Sequence, residues 1–475
     1  MKRILSYLSV ALVIMAGFLT ACDKEKIKED DGKSPRGTLV SVDEGVSYTP
    51  EQLAEFFMED VDGSNAGEVE ELTQIRDNFL NRINNVRDSL ERALGTNGIS
   101  YFYNIHRYTY TSEDQYGNSI TLSAMAAWPY YILLWGAYDY DPDDIMLFEH
   151  YTIGSNEEAP TNSRKTQTAA IFMSHEDLVI APDLIGYGQT RDSVHLYLNH
   201  DVTAKNSVDA IQAGIDVFNK YKTGNTKLED DWGLYVVGMS QGGASALAVQ
   251  KYFDTHTDEA EKYRFKAAIC CSGPYMPSAT IQHYIDSGQG LEFPFVVPMT
   301  AKSMLASYPE LRSKYMESQF YTDEYITDAM PFIDKMFFYK ESTNGEISEE
   351  IARRLHLAED SVKISDIFNS KALDSNSQMN KDIMAALRKN DLTSGWTPKH
   401  KIILVHGRDD QVVPYINAQA VVGSFGKDVV LITSGLPSNH TTACYAFLGQ
   451  VTLYGPKFFT ERAYKYDDSH DSFFF

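Results

Sequence analysis

The stretch that most constrains this chain is Leu234-Tyr235-Val236-Val237-Gly238-Met239-Ser240-Gln241-Gly242-Gly243-Ala244. Its apolar, β-branched first half predicts a buried strand, and Ala and Leu at helical spacing after it predict a helix. Ser240 falls at the turn between the two. A side chain at such a turn sits in a strained backbone conformation, and glycine at Gly238 and Gly242 removes the Cβ atoms that would keep strand and helix apart. The helix N-terminus then aims free N–H groups at any negative charge that forms near the serine oxygen. Five-residue patterns of common residues recur by chance; the placement between strand and helix is what makes Ser240 a candidate nucleophile.

The flanking sequence repeats this alternation. Strands are predicted at Ile145–Tyr151, Leu178–Ala181, Gly233–Gly238 and Phe265–Cys271, with helices at Thr166–Ser174, Lys205–Tyr221 and Gln241–Phe253 between or after them. Short apolar strands alternating with helices imply a mostly parallel, doubly wound sheet covered on both faces. The alternation breaks near Pro274 and resumes at Lys401–Val405, followed by a strand Val429–Thr433 and a helix Thr441–Leu453. The intervening segment, 276–399, carries helical patterns and reads as a cap above the strand C-termini, where ligands bind in such sheets. The core therefore reads as two parts, 98–275 and 400–475. Ahead of it, Ile99–Tyr110 and Ser119–Ala127 read as a hairpin, and 49–97 as a helical extension with helices Pro50–Met58 and Glu68–Leu94.

A serine hydroxyl attacks only once a base takes its proton, and the base must be held in one tautomer by an acid. Two later loops reach the sheet edge that bears Ser240. One is Val405-His406-Gly407-Arg408-Asp409-Asp410-Gln411-Val412-Val413-Pro414; the other is Leu436-Pro437-Ser438-Asn439-His440-Thr441. Of twelve histidines, His440 alone follows the last predicted strand at a turn. His406, His150 and His195 read as packing or hydrogen-bonding residues. In the acid loop two carboxylates compete, with Asp410 as the acid or, alternatively, Asp409 as the acid and Asp410 as a helix cap.

His406-Gly407-x-x-Asp410-x-x-Val413-Pro414 resembles the acid loop of the α/β-hydrolase superfamily, and on that pattern Asp410 is the acid. Pro182-Asp183-Leu184-Ile185-Gly186-Tyr187-Gly188, with His195 and Tyr197-Leu198, looks like a further segment of that superfamily. Trp396-Thr397-Pro398 is similar to its secretory-lipase and esterase members. The likeness covers roughly 120–455 apart from most of the cap. It implies the α/β-hydrolase fold and a serine hydrolase that cleaves carboxylic esters through an acyl-enzyme, with Ser240, His440 and Asp410 as catalytic residues and no metal or cofactor. Backbone N–H groups of Gln241 and of Tyr151 or Thr152 would form the oxyanion hole. Relatives usually carry His-Gly where this chain has His150-Tyr151, a departure at the second donor. Two other readings stand beside this one: a serine peptidase of prolyl-oligopeptidase type, and a catalytically inactive hydrolase fold that binds a partner.

Composition closes off other classes. A net charge of −24 opposes nucleic acid binding. No Cys-x-x-Cys or His-Glu-x-x-His spacing offers a zinc site, and Gly186-x-Gly188 lacks the third glycine of a dinucleotide fingerprint. Lys2-Arg3, an apolar run from Ile4 to Phe18, and Leu19-Thr20-Ala21-Cys22 describe a secretory signal over 1–22. Its ending resembles a bacterial lipoprotein signal, which implies lipidation of Cys22 and a membrane-anchored protein of the cell envelope. A flexible acidic tether over 23–48 would follow, and Lys28-Glu29-Asp30-Asp31 is similar to surface-export signals of Bacteroidetes lipoproteins. Cys270, Cys271 and Cys444 remain, either as buried thiols or with one disulfide to Cys444.

Overall fold

The computed structural model describes residues 35–59, 66–133, 136–174, 176–433, 435–437, 439–466 and 473. The expected signal with Cys22, the tether up to residue 34, and Phe474-Phe475 lie outside them.

The described strands are β1 (Leu39–Val42), β2 (Val46–Tyr48), β3 (Ser100–Glu113), β4 (Ser119–Leu133), β5 (Gly136–Asp139), β6 (Ile145–Glu149), β7 (Leu178–Pro182), β8 (Leu234–Met239), β9 (Phe265–Cys271), β10 (Ile402–Val405) and β11 (Val429–Ile432). They form one sheet in the order β1-β3-β4-β7-β6-β8-β9-β10-β11, with β2 on β3 and β5 on β4. From β7 to β11 every pair is parallel. The hairpin β3–β4 is antiparallel and joins this half through an antiparallel β4–β7 pair.

Continuous apolar runs such as Ile145–Glu149 and Leu234–Met239 are buried at every position because helices cover both faces. On one face, Val208, Ile211 and Phe218 of helix His200–Tyr221 and Leu247 of helix Gln241–Thr255 pack over Ile145, Leu147 and Val236. The alternate strand residues Met146, Phe148 and Val237 face Phe79, Phe172 and Phe447 on the other side. Strand order reverses at β6, whose neighbours are β7 and β8. Ligands of open α/β sheets bind at such a reversal, at the strand C-termini, and here the loop after β6 and the turn after β8 meet.

Three features differ from the sequence-based expectation. The tether expected over 23–48 does not run that far, because Leu39–Val42 and Val46–Tyr48 pair antiparallel with β3. Arg36 joins them to the core through Asp209, with Nε–Oδ2 at 3.0 Å and Nη2–Oδ1 at 2.9 Å. The hairpin is longer than expected, and Pro129 lies within β4. Its carbonyl accepts from Tyr140 N at 3.2 Å, so its missing N–H points away from β3 and removes no bond from that ladder. The last helix, His440–Tyr464, continues past Leu453 through a kink at Gly455 (φ 73°) and Pro456. Phe473 is docked at 1% exposure, its ring 4.9 Å from that of Phe459.

The extension helices Pro50–Phe57 and Ala66–Leu94 pack onto the sheet face that carries Phe172. Thr49 caps the first, accepting from Gln52 N at 3.2 Å. Phe79 stacks on Phe172 with centroids 4.0 Å apart, and Arg82 donates to the carbonyls of Phe172 and Thr452. Between β9 and β10 the cap helices, among them Pro277–Ser287, Val296–Ser307, Asn344–Arg354 and Gln378–Arg388, enclose their own core of Phe320, Ile333, Ile351 and Leu387.

Candidate active site

Ser240 adopts φ 55°, ψ −125°, a conformation a side-chain-bearing residue holds only when its surroundings enforce it. Its N–H is fixed to the Cys271 carbonyl at 2.9 Å. A Cβ at Gly238 would lie 2.1 Å from the Gly242 carbonyl oxygen, and one at Gly242 would lie 2.0 Å from the Glu149 carbonyl oxygen. Both glycines are thus required by backbone that cannot rotate away.

His440 opens the last helix behind the cap residue Asn439, which accepts from Thr442 N at 3.0 Å. Its Nε2 stands 3.1 Å from Ser240 Oγ, and its Nδ1 donates to Asp410 Oδ2 at 2.8 Å. The other oxygen of Asp410 accepts from Val412 N at 3.0 Å and Val413 N at 2.7 Å, so the carboxylate is oriented by its own loop. Asp409, one residue earlier, is exposed. The structure therefore brings Ser240, His440 and Asp410 together and leaves Asp409 out.

Burial alone would favour a neutral His440 ring; Cys444, Asp410 and Glu292 outweigh it and push its pKa up to about 9. Cys444 stays a neutral thiol, its own pKa raised by contact with Cys271 and by burial. The carboxylates of Asp410 and Glu292 therefore carry the raise. Cys270, Cys271 and Cys444 are all free thiols, which settles the open disulfide question.

The other histidines hold loops. His195 donates from Nδ1 to the Ile185 carbonyl (2.8 Å), so its Nε2 accepts from Gln241 Nε2 (2.9 Å), and burial pushes its pKa down to about 3. His150 Nδ1 lies 2.6 Å from the Tyr151 carbonyl oxygen, and His406 Nε2 lies 2.9 Å from the Val413 carbonyl oxygen. Asp183 accepts from Ser123 Oγ (2.6 Å), Thr161 Oγ1 (2.6 Å) and Thr161 N (2.8 Å), shaping the segment after β7. Gln241 begins the helix beneath Ser240, so its N–H has no helical acceptor.

Ser240 and His440 open into a cavity of about 380 Å³ that Tyr151 and Thr152 also line. Its walls are mainly apolar: Ile281, Leu291 and Phe295 from the cap, Met239 and Leu448 from the core, and Phe57 and Leu72 from the extension. The extension residues and the cap residue Asn344 escaped the sequence reading. Met336-Phe337-Phe338-Tyr339 is not part of the lining; Met336 and Phe337 pack on the cap core, and Phe338 is 70% exposed.

No family model matches the chain, and no curated protein matches it. Solved structures do. The rice cell wall degrading esterase LipA from Xanthomonas oryzae superposes with a TM-score of 0.61 at 19% identity, covering 88% of this chain and 96% of that one. A provisionally assigned hydrolase from Legionella pneumophila gives 0.61 at 18%, covering 91% and 100%. Candida antarctica lipase A in its closed state gives 0.53 at 12%, covering 76% and 78%. At these identities the likeness is one of architecture. Sheet order, the turn at Ser240 and the cap between β9 and β10 agree with it: the chain has the α/β-hydrolase fold.

Proposed function

We propose that this protein is a serine hydrolase that cleaves carboxylic esters through an acyl-enzyme. The observation that carries this reading is the continuous line Ser240 Oγ–His440 Nε2 (3.1 Å) and His440 Nδ1–Asp410 Oδ2 (2.8 Å), opening into a mainly apolar cavity. Ser240 Oγ attacks the acyl carbonyl while neutral His440 takes its proton at Nε2. Asp410 holds the Nδ1–H tautomer and stabilises the imidazolium that forms. The oxyanion is met by the N–H of Gln241 and by that of Tyr151 or Thr152. His440 then returns its proton to the departing alcohol oxygen, and a water activated in the same way releases the acid. The esterase and lipase among the structural neighbours support an ester as the substrate.

Turnover of p-nitrophenyl esters across acyl chain length, set against a proline-peptide anilide, tests the reading. Ester cleavage is expected to dominate; faster cleavage of the anilide would favour a peptidase. In the same assay kcat/KM should depend on neutral His440. With the Asp410 and Glu292 carboxylates holding the ring above its ordinary value, activity is expected to go on climbing with pH past 7. A plateau reached by pH 7 would contradict the placement of the two carboxylates around His440. The linkage to stability has the opposite sense. A raised folded-state pKa contributes stability that is fully present below about 6.5, the ordinary histidine value, and is lost as pH rises through the raised value.

A further inference from the structure

The geometry points to Asn344, a residue of the cap, as a positioning residue that holds the loop after β6 in the conformation that serves the oxyanion. The inference rests on the ester-hydrolase reading above.

Asn344 Nδ2 donates to the Thr152 carbonyl at 2.6 Å, and Asn344 lines the same cavity as Tyr151, Thr152 and Ser240. A trans peptide unit holds its carbonyl and the next N–H in one plane, pointing in opposite directions. Fixing a carbonyl therefore fixes where the following N–H points. In this loop successive planes are fixed in turn. His150 Nδ1 holds the Tyr151 carbonyl (2.6 Å), and with it the plane that carries Thr152 N–H; Asn344 holds the Thr152 carbonyl and so fixes the adjoining plane on the other side of Thr152; the Tyr187 hydroxyl holds the carbonyl of Ile153. Beyond them, Glu158 Oε2 accepts from Gly154 N (3.0 Å) and Ser155 N (2.9 Å). Of these holding groups Asn344 is the one that comes from the cap.

The cap is fastened at this end. A Cβ on Gly154 would lie 2.7 Å from the Ser342 carbonyl oxygen and 3.0 Å from Asn344 N, so loop and cap backbones touch directly. Lys340, 5% exposed, donates from Nζ to the carbonyls of Gly186, Arg191 and Ser193, and its own carbonyl accepts from Asn156 N at 2.7 Å. Residues 340–344 therefore belong to the frame of the active site rather than to a freely swinging lid.

Asn344→Leu keeps the size of the side chain and removes the donor. Loss of an oxyanion donor lowers rate about 100–1,000-fold, and a displaced one should lower kcat by roughly 10–100-fold. Because the contact serves the transition state, KM should stay within about two-fold. Affinity for a trifluoromethyl ketone, which forms a tetrahedral oxyanion adduct, should fall by the same factor as kcat/KM. Asn344→Asp, an acceptor of the same shape, asks the same question if the leucine variant does not fold. Ser377→Ala is the control: it removes the cap of another cap helix, Gln378–Arg388, where Ser377 Oγ accepts from Asn380 N at 3.0 Å, without touching the loop after β6. Unchanged kcat in both Asn344 variants beside an active wild type, or an equal fall in Ser377→Ala, overturns the inference alone. A wild type without ester turnover overturns the ester reading and this inference with it.

Discussion

Ser240→Ala is expected to abolish ester turnover, a fall of about a million-fold, with fold and melting temperature retained. The reason lies in what the hydroxyl touches. Ser240 Oγ faces His440 Nε2 at 3.1 Å, while the residue's place in the turn is secured by its N–H on the Cys271 carbonyl, which alanine keeps. The glycine contacts at Gly238 and Gly242 are likewise untouched. Steady-state kinetics with a short p-nitrophenyl ester, beside a thermal melt, measures both quantities. Turnover within ten-fold of wild type would remove Ser240 from the reaction.

Asp410→Asn should lower kcat by about 10,000-fold. Asparagine can keep its oxygen on Val412 N and Val413 N, which leaves its amide N–H₂ facing His440 Nδ1. A donor there selects the tautomer with the proton on Nε2, so the nitrogen facing Ser240 can no longer accept. The same change removes one of the two carboxylates that raise the His440 pKa, so the rise of residual activity should move to lower pH. Asp409→Asn, at an exposed side chain, is expected to change kcat less than two-fold, since such surface changes have small effects. Equal losses in the two variants, read from kcat over a pH series, would contradict the choice of Asp410.

The parts legible in the sequence were those with local chemistry. The apolar run into Gly238-Met239-Ser240-Gln241-Gly242 gives both the strand and the turn, because strain and close approach are properties of a few adjacent residues. Asp410 and His440 were reachable because each sits in a loop directly after a short apolar strand, β10 or β11. What escaped depends on contacts between distant segments. Leu39–Val42 is a strand because β3 offers it an edge, and nothing in four residues beside a charged stretch announces that partner. Phe57 and Leu72 read as ordinary apolar positions of amphipathic helices; that they wall the cavity depends on how the extension lies across the final helix. Asn344 touches Thr152 across 192 positions and lies, in sequence, within the polar stretch Ser342-Thr343-Asn344-Gly345. At Pro129 and Gly455-Pro456 the strand and the helix both continue through residues that usually end them, so both elements run past their expected bounds.

In the proposed mechanism Ser240 carries the acyl group. Treating the protein with a fluorophosphonate and, separately, quenching it during turnover of a slow p-nitrophenyl ester allows intact-mass measurement and peptide mapping of the adduct. The expected result is one adduct per chain, on the peptide containing Ser240, formed in step with loss of activity and absent from Ser240→Ala. Ester turnover that persists with no adduct, or an adduct on another residue, would contradict the account.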